Sequence, residues 1–225
     1  MRRAADNLLN YQIPGGGYMH PHGRKVNVPT ARFGWTPCVT GYVTKVLMDL
    51  GLGNDSRVRV ALEVMRTGQR ENGGWICNHV GQRAPYCIWS GTPWVFACLA
   101  HAGLITKNSR IAHRALGVFG RHKEKIIRHG YHRDHYYRCD EALLLPAFCA
   151  IGLSARHPLV KDLRESLIAK QQPNGCWLFG GRHPHHQPRS IQRMQQQNGS
   201  RLLRGTPSAW YTIEAVAALQ TPDRV

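Results

Sequence analysis

The chain has 225 residues, 42% of them hydrophobic, so it is long enough and apolar enough to bury a core. The 30 Lys and Arg residues outnumber the 13 Asp and Glu, and the formal charge of +17 favours an anionic partner such as a phosphorylated small molecule, unless the charge only solvates the surface. No apolar segment is long enough to span a membrane, the amino terminus does not resemble a signal peptide and no nucleic-acid motif accompanies the charge, so we expect a cytoplasmic protein without a membrane span or a nucleic-acid partner.

Apolar residues recur at helical spacing in every long segment, and no segment alternates with the period of two that indicates a β-strand. We therefore predict an all-α protein of about eight helices. It forms a single domain over residues 1–225, with a polar loop insertion at about residues 180–204. The predicted helices lie at about residues 4–11, 37–50, 57–66, 94–104, 109–128, 139–152, 158–170 and 206–219.

Two of these helices begin with recognisable capping residues. Thr36 precedes Pro37, and proline is favoured at the first helical position because its missing N–H would have no partner there. Ser56 is predicted to cap the following helix, which has one apolar face and one charged face. Residues 94–104 are instead apolar nearly all round. We therefore expect amphipathic outer helices to cover fully buried inner ones.

One seven-residue frame recurs along the chain: a glutamine, three variable residues, a glycine, one further residue and an aromatic. It occupies residues 12–18, 69–75 and 171–177, and we predict a degenerate copy at residues 129–131. Repeats of this length cannot bury their apolar faces alone, so they stack on one another. The frame therefore predicts about four stacked helical hairpins.

A second series has nearly the same spacing. The dipeptide Thr-Pro begins at Thr36, Thr92 and Thr206, and each copy precedes an apolar run. We expect these three threonines to mark equivalent starts of inner helices, all at one end of the stack.

The frame Gln-x-x-x-Gly-x-Trp at residues 69–75 and 171–177, followed by a buried helix that opens at Thr-Pro, resembles the repeat of terpenoid cyclases and protein prenyltransferase beta subunits. The resemblance covers almost the whole chain. It implies an alpha-alpha toroid, which consists of two concentric layers of helices. Four hairpins would form a small ring, an incomplete ring that a second subunit completes, or a fragment of a longer toroid. It also implies that the glutamines cap neighbouring helix ends and that the aromatics pack on the adjoining turn.

The resemblance further implies a terpenoid cyclase-like or prenyltransferase-like protein, a transferase or isomerase if it is an enzyme, with a cavity for an isoprenoid or other apolar ligand. Two departures leave catalysis open. No Asp-x-Asp-Asp cluster is present, and Cys139-Asp140 reverses the order of the prenyltransferase Asp-x-Cys zinc ligands. The alternative is a non-catalytic, metal-containing binding or scaffold protein whose basic rim contacts a macromolecular partner.

The seven cysteines favour a reducing compartment, where thiols are buried or bind metal. Cys98 and Cys149 fall inside inner helices and are expected to be core thiols. Four others lie on turns or inner-helix starts at one end of the expected stack, where they could hold zinc or an iron-sulfur cluster. These four are Cys77, Cys87, Cys139 and Cys176. The alternative is that small cysteines suit crowded helix ends and bind no metal.

Three carboxylates are candidates for catalysis. Asp140 and Glu141 are adjacent at the start of an inner helix, where paired carboxylates can act as acid and base. They could equally cap the helix and interact with its dipole. Glu214 lies within an apolar helix and would need a partner or a proton if it were buried.

Four residues are candidates for binding a ligand or cofactor. Arg83 and Arg138 lie at the cysteine-rich end and could contact a diphosphate, because arginine makes bidentate phosphate contacts. Trp94 and Trp210 could supply an aromatic wall for an apolar ligand, or could be ordinary core residues.

Overall fold

The computed structural model describes residues 2–18, 35–76, 91–129, 141–178 and 209–221. Within these ranges every regular element is a helix, and Gln12 and Tyr18 form an isolated bridge, so the prediction of an all-α protein is confirmed. The helices are α1 (Arg2–Asn10), α2 (Pro37–Asp49), α3 (Ser56–Thr67), α4 (Gly91–His101), α5 (Arg110–His129), α6 (Glu141–Ala150), α7 (Pro158–Ala169) and α8 (Ala209–Leu219). None of these helices is long and apolar enough to cross a membrane.

The helices fall into two kinds by burial and by packing. Helix α4 is buried from Gly91 to Ala100, whereas α3 buries only the face that carries Val58, Ala61 and Met65. Helices α2, α4, α6 and α8 pack side by side in chain order. The amphipathic helix α3 packs on α2 and α4, and α7 packs on α5 and α6. We call α2, α4, α6 and α8 the inner helices and α1, α3, α5 and α7 the outer helices.

Three phenylalanines join successive helices at the centre of the core. Phe96 of α4, Phe119 of α5 and Phe148 of α6 are fully buried and contact one another edge to face, with ring centroids 5.1 to 5.6 Å apart. Aromatic pairs in this geometry contribute about 0.5 to 1.5 kcal/mol each beyond their buried area. The cluster therefore fixes how the second and third hairpins meet. Cys98 and Cys149 are buried close to it in sequence, as predicted, and burial raises the pKa of the Cys98 thiol.

The recurring frame forms the same tight turn in all three described copies. The residue after each glutamine donates its N–H to the carbonyl of the residue before each aromatic, at 2.9, 3.0 and 2.8 Å. The glycine in each turn has a positive φ of 95°, 94° or 81°, which a residue with a Cβ rarely adopts. The periodic glycine therefore reflects a backbone requirement of this turn.

The glutamine side chain joins one repeat to the next. Gln12 Nε2 donates to the carbonyl of its own turn glycine and to Arg57 O in the first turn of α3, both at 2.7 Å. Gln69 Nε2 makes the same two kinds of bond, and its second acceptor is Ile111 O in the first turn of α5, at 2.9 Å. Gln171 bonds its own turn glycine at 3.1 Å, and no outer helix follows it in the described part of the chain.

The two tryptophans of the frame are anchored identically. Trp75 and Trp177 are 0% and 1% exposed. Each indole N–H donates at 2.8 Å to a carbonyl near the end of the preceding outer helix, Met65 O or Leu167 O. Both side chains therefore fasten an outer helix to its turn.

A threonine hydroxyl connects each described turn to the next inner helix. The backbone N–H groups of the frame aromatics donate to Thr40, Thr92 and Thr212, at 2.9, 3.0 and 3.0 Å. Thr40 and Thr92 also donate back to the carbonyl of the same aromatic at 3.3 Å. One hydroxyl therefore satisfies both a buried donor and a buried acceptor.

The Thr-Pro series does not mark equivalent positions. Thr36 is the N-cap of α2, in an extended conformation, and its side chain makes no capping hydrogen bond. The hydroxyl that meets the turn belongs to Thr40, one helical turn later, whereas Thr92 lies inside the first turn of α4. Proline at the first helical position and a hydroxyl facing the turn are separate requirements: Pro37 meets the first in α2, whereas Pro93 is the third residue of α4 and Thr92 meets the second. Thr206 lies outside the described residues.

The predicted cap of α3 is also one residue late. Asp55 is the N-cap, with φ −63° and ψ 133°, and its carboxylate accepts the Arg57 N–H at 2.9 Å. Ser56 is the first helical residue. The Arg57 guanidinium and backbone N–H hold the pKa of Asp55 below its ordinary value.

Candidate functional site at the start of helix α6

The first three inner helices end in the same way, which fixes their register. A glycine with positive φ follows each of them, and the next residue donates its N–H back into the last turn. These glycines are Gly51, Gly103 and Gly152. The eleventh residue before each glycine is Thr40, Thr92 or Glu141. Glu141 therefore occupies, in the third repeat, the position that holds a turn-binding threonine in the others.

The Glu141 side chain is completely buried and is held by the outer helix of the following repeat. Its Oε1 accepts a hydrogen bond from Ser166 Oγ of α7 at 2.7 Å and an ion-paired hydrogen bond from Lys170 Nζ, just beyond α7. Lys170 Nζ also donates to Ile127 O near the end of α5, at 2.8 Å. Glu141 Oε2 is buried and has no hydrogen-bond partner among the described residues. Within the described part of the chain, the carboxylate is therefore bound through one oxygen only.

Burial raises the pKa of the Glu141 carboxyl above its ordinary value, while the Lys170 ammonium and the Ser166 hydroxyl act in the opposite direction. A buried ion pair contributes little net stability, because desolvation of both charges offsets their attraction. A buried oxygen without a partner is unfavourable in itself. A gain in net folding stability is therefore not expected from the ion pair itself.

The glutamine of the frame is also replaced at this junction. Met65 of α3, Phe119 of α5 and Leu167 of α7 are fully buried on the inward faces of their outer helices. Four residues later come Gln69, Lys123 and Gln171. Lys123 Nζ forms an ion pair with Asp162 of α7, with the side chains 35% and 30% exposed. The third junction therefore uses two lysine–carboxylate pairs where the others use amide and hydroxyl hydrogen bonds.

The predicted degenerate frame at residues 129–131 falls mostly outside the described residues and stays a prediction. Helix α5 continues to His129. The register of α5 places Lys123 at the position that the glutamine of the frame occupies in the other repeats. Gly130 and Tyr131 lie outside the described residues.

The inner helices place two of the other candidates in one register. The residue two positions after Thr40, Thr92, Glu141 and Thr212 is, in that order, Tyr42, Trp94, Leu143 or Glu214. Trp94 is 4% exposed, its Nε1 has no hydrogen-bond partner among the described residues, and its ring meets Tyr42 edge to face at 5.1 Å. Glu214 is half-buried. We call these four residues the register row.

Most of the remaining candidates lie outside the described residues. They are Cys77, Cys87 and Cys139, the carboxylate Asp140, the arginines Arg83 and Arg138, and the side chain of Trp210. Cys176 is half-buried, and its Sγ lies 2.9 Å from Asn174 Oδ1, which fits a protonated thiol donating to an amide oxygen. Over the ranges that the structure describes, no three His, Cys, Asp or Glu side chains group as metal ligands. The four-cysteine centre therefore stays a prediction.

No model of a known protein family matches the chain, and no curated protein sequence matches it. The function is therefore inferred from the residues of the chain itself.

Proposed function

We propose that the chain is a terpenoid cyclase-like or prenyltransferase-like protein that binds an isoprenoid-like apolar ligand against its inner helices. Glu141 is its central acid–base residue. The observation that carries the proposal is the replacement of a turn-binding threonine by a completely buried carboxylate, one oxygen of which meets no partner in the described part of the chain. Groups of this kind, shifted by burial and by a specific charged partner, are concentrated at functional sites.

The packing of the helices supports the proposed alpha-alpha toroid. Inner helices lie side by side in chain order, and outer helices pack on them from the flanking repeats. The side chains of Gln12 and Gln69 bridge from one repeat to the first turn of the next outer helix, as the resemblance implies. We propose that the four hairpins form an arc or a small ring of this type.

The register row supports an apolar ligand. Three of its members are aromatic or aliphatic, and the row ends at the carboxylate of Glu214. The buried Trp94 N–H could donate to a ligand oxygen, since no described residue accepts it. The net charge of +17 suits a diphosphate on that ligand, and Arg83 and Arg138 remain the proposed contacts for it.

The chemistry follows from the setting of Glu141. A carboxyl group in a low-dielectric site can keep its proton until a reacting alkene or leaving group takes it, and the resulting carboxylate can recover a proton from the product cation. Asp140, the neighbour of Glu141 in the sequence, and Glu214, in the middle of α8, are the proposed candidates for a second acid–base group.

We expect Glu141→Gln to retain ligand binding and to lose turnover by about 100-fold or more, because acid–base groups contribute roughly that factor or larger. Binding would be measured by ligand-dependent thermal shift and turnover by mass spectrometry of products, with geranyl, farnesyl and geranylgeranyl diphosphate and squalene as probes. Glu63→Gln is the matched control, because Glu63 is an exposed carboxylate on α3 that pairs with Arg66. Equal turnover by wild type and Glu141→Gln, or no binding and no turnover of any probe by wild type, would contradict the proposal.

The second candidate function is a metal-containing binding or scaffold protein. The surface of the last turn favours it, since Gln171 and Gly175 are exposed where the equivalent glutamines and glycines of the first two turns contact a following outer helix. A helix from a macromolecular partner could occupy the place of that following outer helix and accept the hydrogen bond of Gln171. In this case the basic surface would recruit the partner and no turnover would be found.

The metal centre is tested separately from turnover. If Cys77, Cys87, Cys139 and Cys176 converge, the anaerobically purified protein will contain stoichiometric zinc or iron, and serine at each of the four will release it. Cys98→Ser should leave the metal content unchanged, because Cys98 is fully buried in α4. Elemental analysis and the visible absorption spectrum are the measurements. Wild-type protein without stoichiometric metal would end the metal hypothesis and leave the role of Glu141 untouched.

A further inference from the structure

The Lys170 ammonium lies where three helices meet. It follows α7, bonds the carbonyl of Ile127 near the end of α5 and pairs with Glu141 at the start of α6. Ser166, one helical turn before Lys170, donates to the same Glu141 oxygen. The Lys170 side chain is only 18% exposed and the Glu141 side chain is completely buried, so their ion pair is shielded from water.

We propose that Lys170, together with Ser166, is a positioning residue for Glu141: the two donors occupy Oε1, fix the carboxyl plane and leave Oε2 as the oxygen that meets the ligand. This inference rests on the proposed acid–base role of Glu141. It adds a group from the next repeat to the site, so the site is complete only when the third and fourth hairpins are docked together.

A different result is expected if Lys170 has only a structural role. Lys123, at the same junction, is the control. Lys123 also bridges two repeats through an ion pair, to Asp162, but it makes no described contact with Glu141. In the described part of the chain, the charged or hydroxyl side chains that meet the Glu141 carboxyl are Lys170 and Ser166. Loss of either lysine therefore weakens the junction, and only loss of Lys170 changes the surroundings of Glu141.

The experiment measures kcat and KM for an isoprenoid probe that the wild-type protein turns over. Lys170→Met should lower kcat by about tenfold or more with KM nearly unchanged, because a misplaced acid–base group impairs the chemical step and leaves ligand binding intact. Lys123→Met should leave kcat unchanged, and Lys170→Arg should restore it in large part. Ser166→Ala should lower kcat by a smaller factor, and it serves as the readout if Lys170→Met does not fold.

The proposal is overturned if neither Lys170→Met nor Ser166→Ala lowers kcat, or if Lys123→Met lowers it equally. Full kcat in Lys170→Met together with an inactive Glu141→Gln would remove only the role of Lys170. Full turnover by Glu141→Gln, or wild-type protein that turns over no probe, would remove the acid–base role and, with it, the function of the positioning.

Discussion

Replacing Trp75 or Trp177 by alanine is expected to lower the free energy of unfolding by about 3 to 5 kcal/mol, as for other fully buried large aromatics. Each indole is packed between an outer helix and its turn, and its N–H satisfies a buried carbonyl at 2.8 Å. Alanine would leave a cavity and an acceptor without a partner. Chemical denaturation followed by circular dichroism would measure the loss.

Two control variants separate the contributions at these positions. Trp75→Phe keeps most of the packed volume and loses the bond to Met65 O, so we expect it to be much less destabilising than alanine. Tyr11→Ala should have little effect, because Tyr11 is 69% exposed beside the first turn. If Trp75→Ala and Trp177→Ala unfolded like wild type while an activity was lost, both residues would be functional and their structural assignment wrong.

Gly73→Ala is expected to destabilise the protein by about 2 to 5 kcal/mol for two additive reasons. The φ of 94° at Gly73 is unfavourable for any residue with a Cβ. A Cβ at this position would also lie 2.3 Å from the carbonyl oxygen of Arg114 in α5, a backbone atom that cannot turn aside. The alanine variant must therefore push the next outer helix away.

Gly175→Ala is the matched control for the second reason. Gly175 occupies the same place in the last turn and has a φ of 81°, but the atom nearest to an alanine methyl group there would be in the flexible Gln171 side chain, at 4.0 Å. Only the conformational strain of about 1 to 2 kcal/mol is expected there. Equal losses of unfolding free energy for the two variants would mean that the close approach of α5 to Gly73 adds nothing to the cost of the alanine.

The pH dependence of stability has a sign that follows from Glu141. Its pKa in the folded protein lies above the ordinary value of 4.5, so the folded state binds more protons than the unfolded state in the interval that begins at about that pH. The contribution of Glu141 to stability is therefore largest below this interval. It is lost as the pH rises through the folded pKa. Glu141→Gln should remove this part of the pH dependence.

Much of the fold could be predicted from local sequence patterns. The seven-residue frame identified the three described turns, because it combines a glycine that the backbone requires with a glutamine and an aromatic that only this packing uses. Helical periodicity placed α7 within a residue of its bounds, Pro158–Ala169. The start of α4 was predicted late, because Thr92-Pro93 lies inside its first turn and not before it.

The junctions between repeats were less predictable, since they depend on residues far apart in the chain. Thr40 could have been found by counting back from the glycine that ends each inner helix, whereas the Thr-Pro dipeptide drew attention to Thr36. Glu141 was identified from its neighbour Asp140, yet its actual partner is Lys170, 29 residues away. Lys123 gives no local signal, because a lysine on an amphipathic helix is ordinary until its register against Gln69 is known.

The replacement of one threonine by Glu141 also affects symmetry. Four hairpins with the same turn would present a ligand or a partner with several equivalent faces, and such an array could be occupied in several registers with equal energy. The charged pair of Glu141 and Lys170, which stands where other repeats use hydroxyl and amide contacts, removes that degeneracy. The repeats remain interchangeable as building blocks, but a molecule that recognises the carboxylate can dock in only one register.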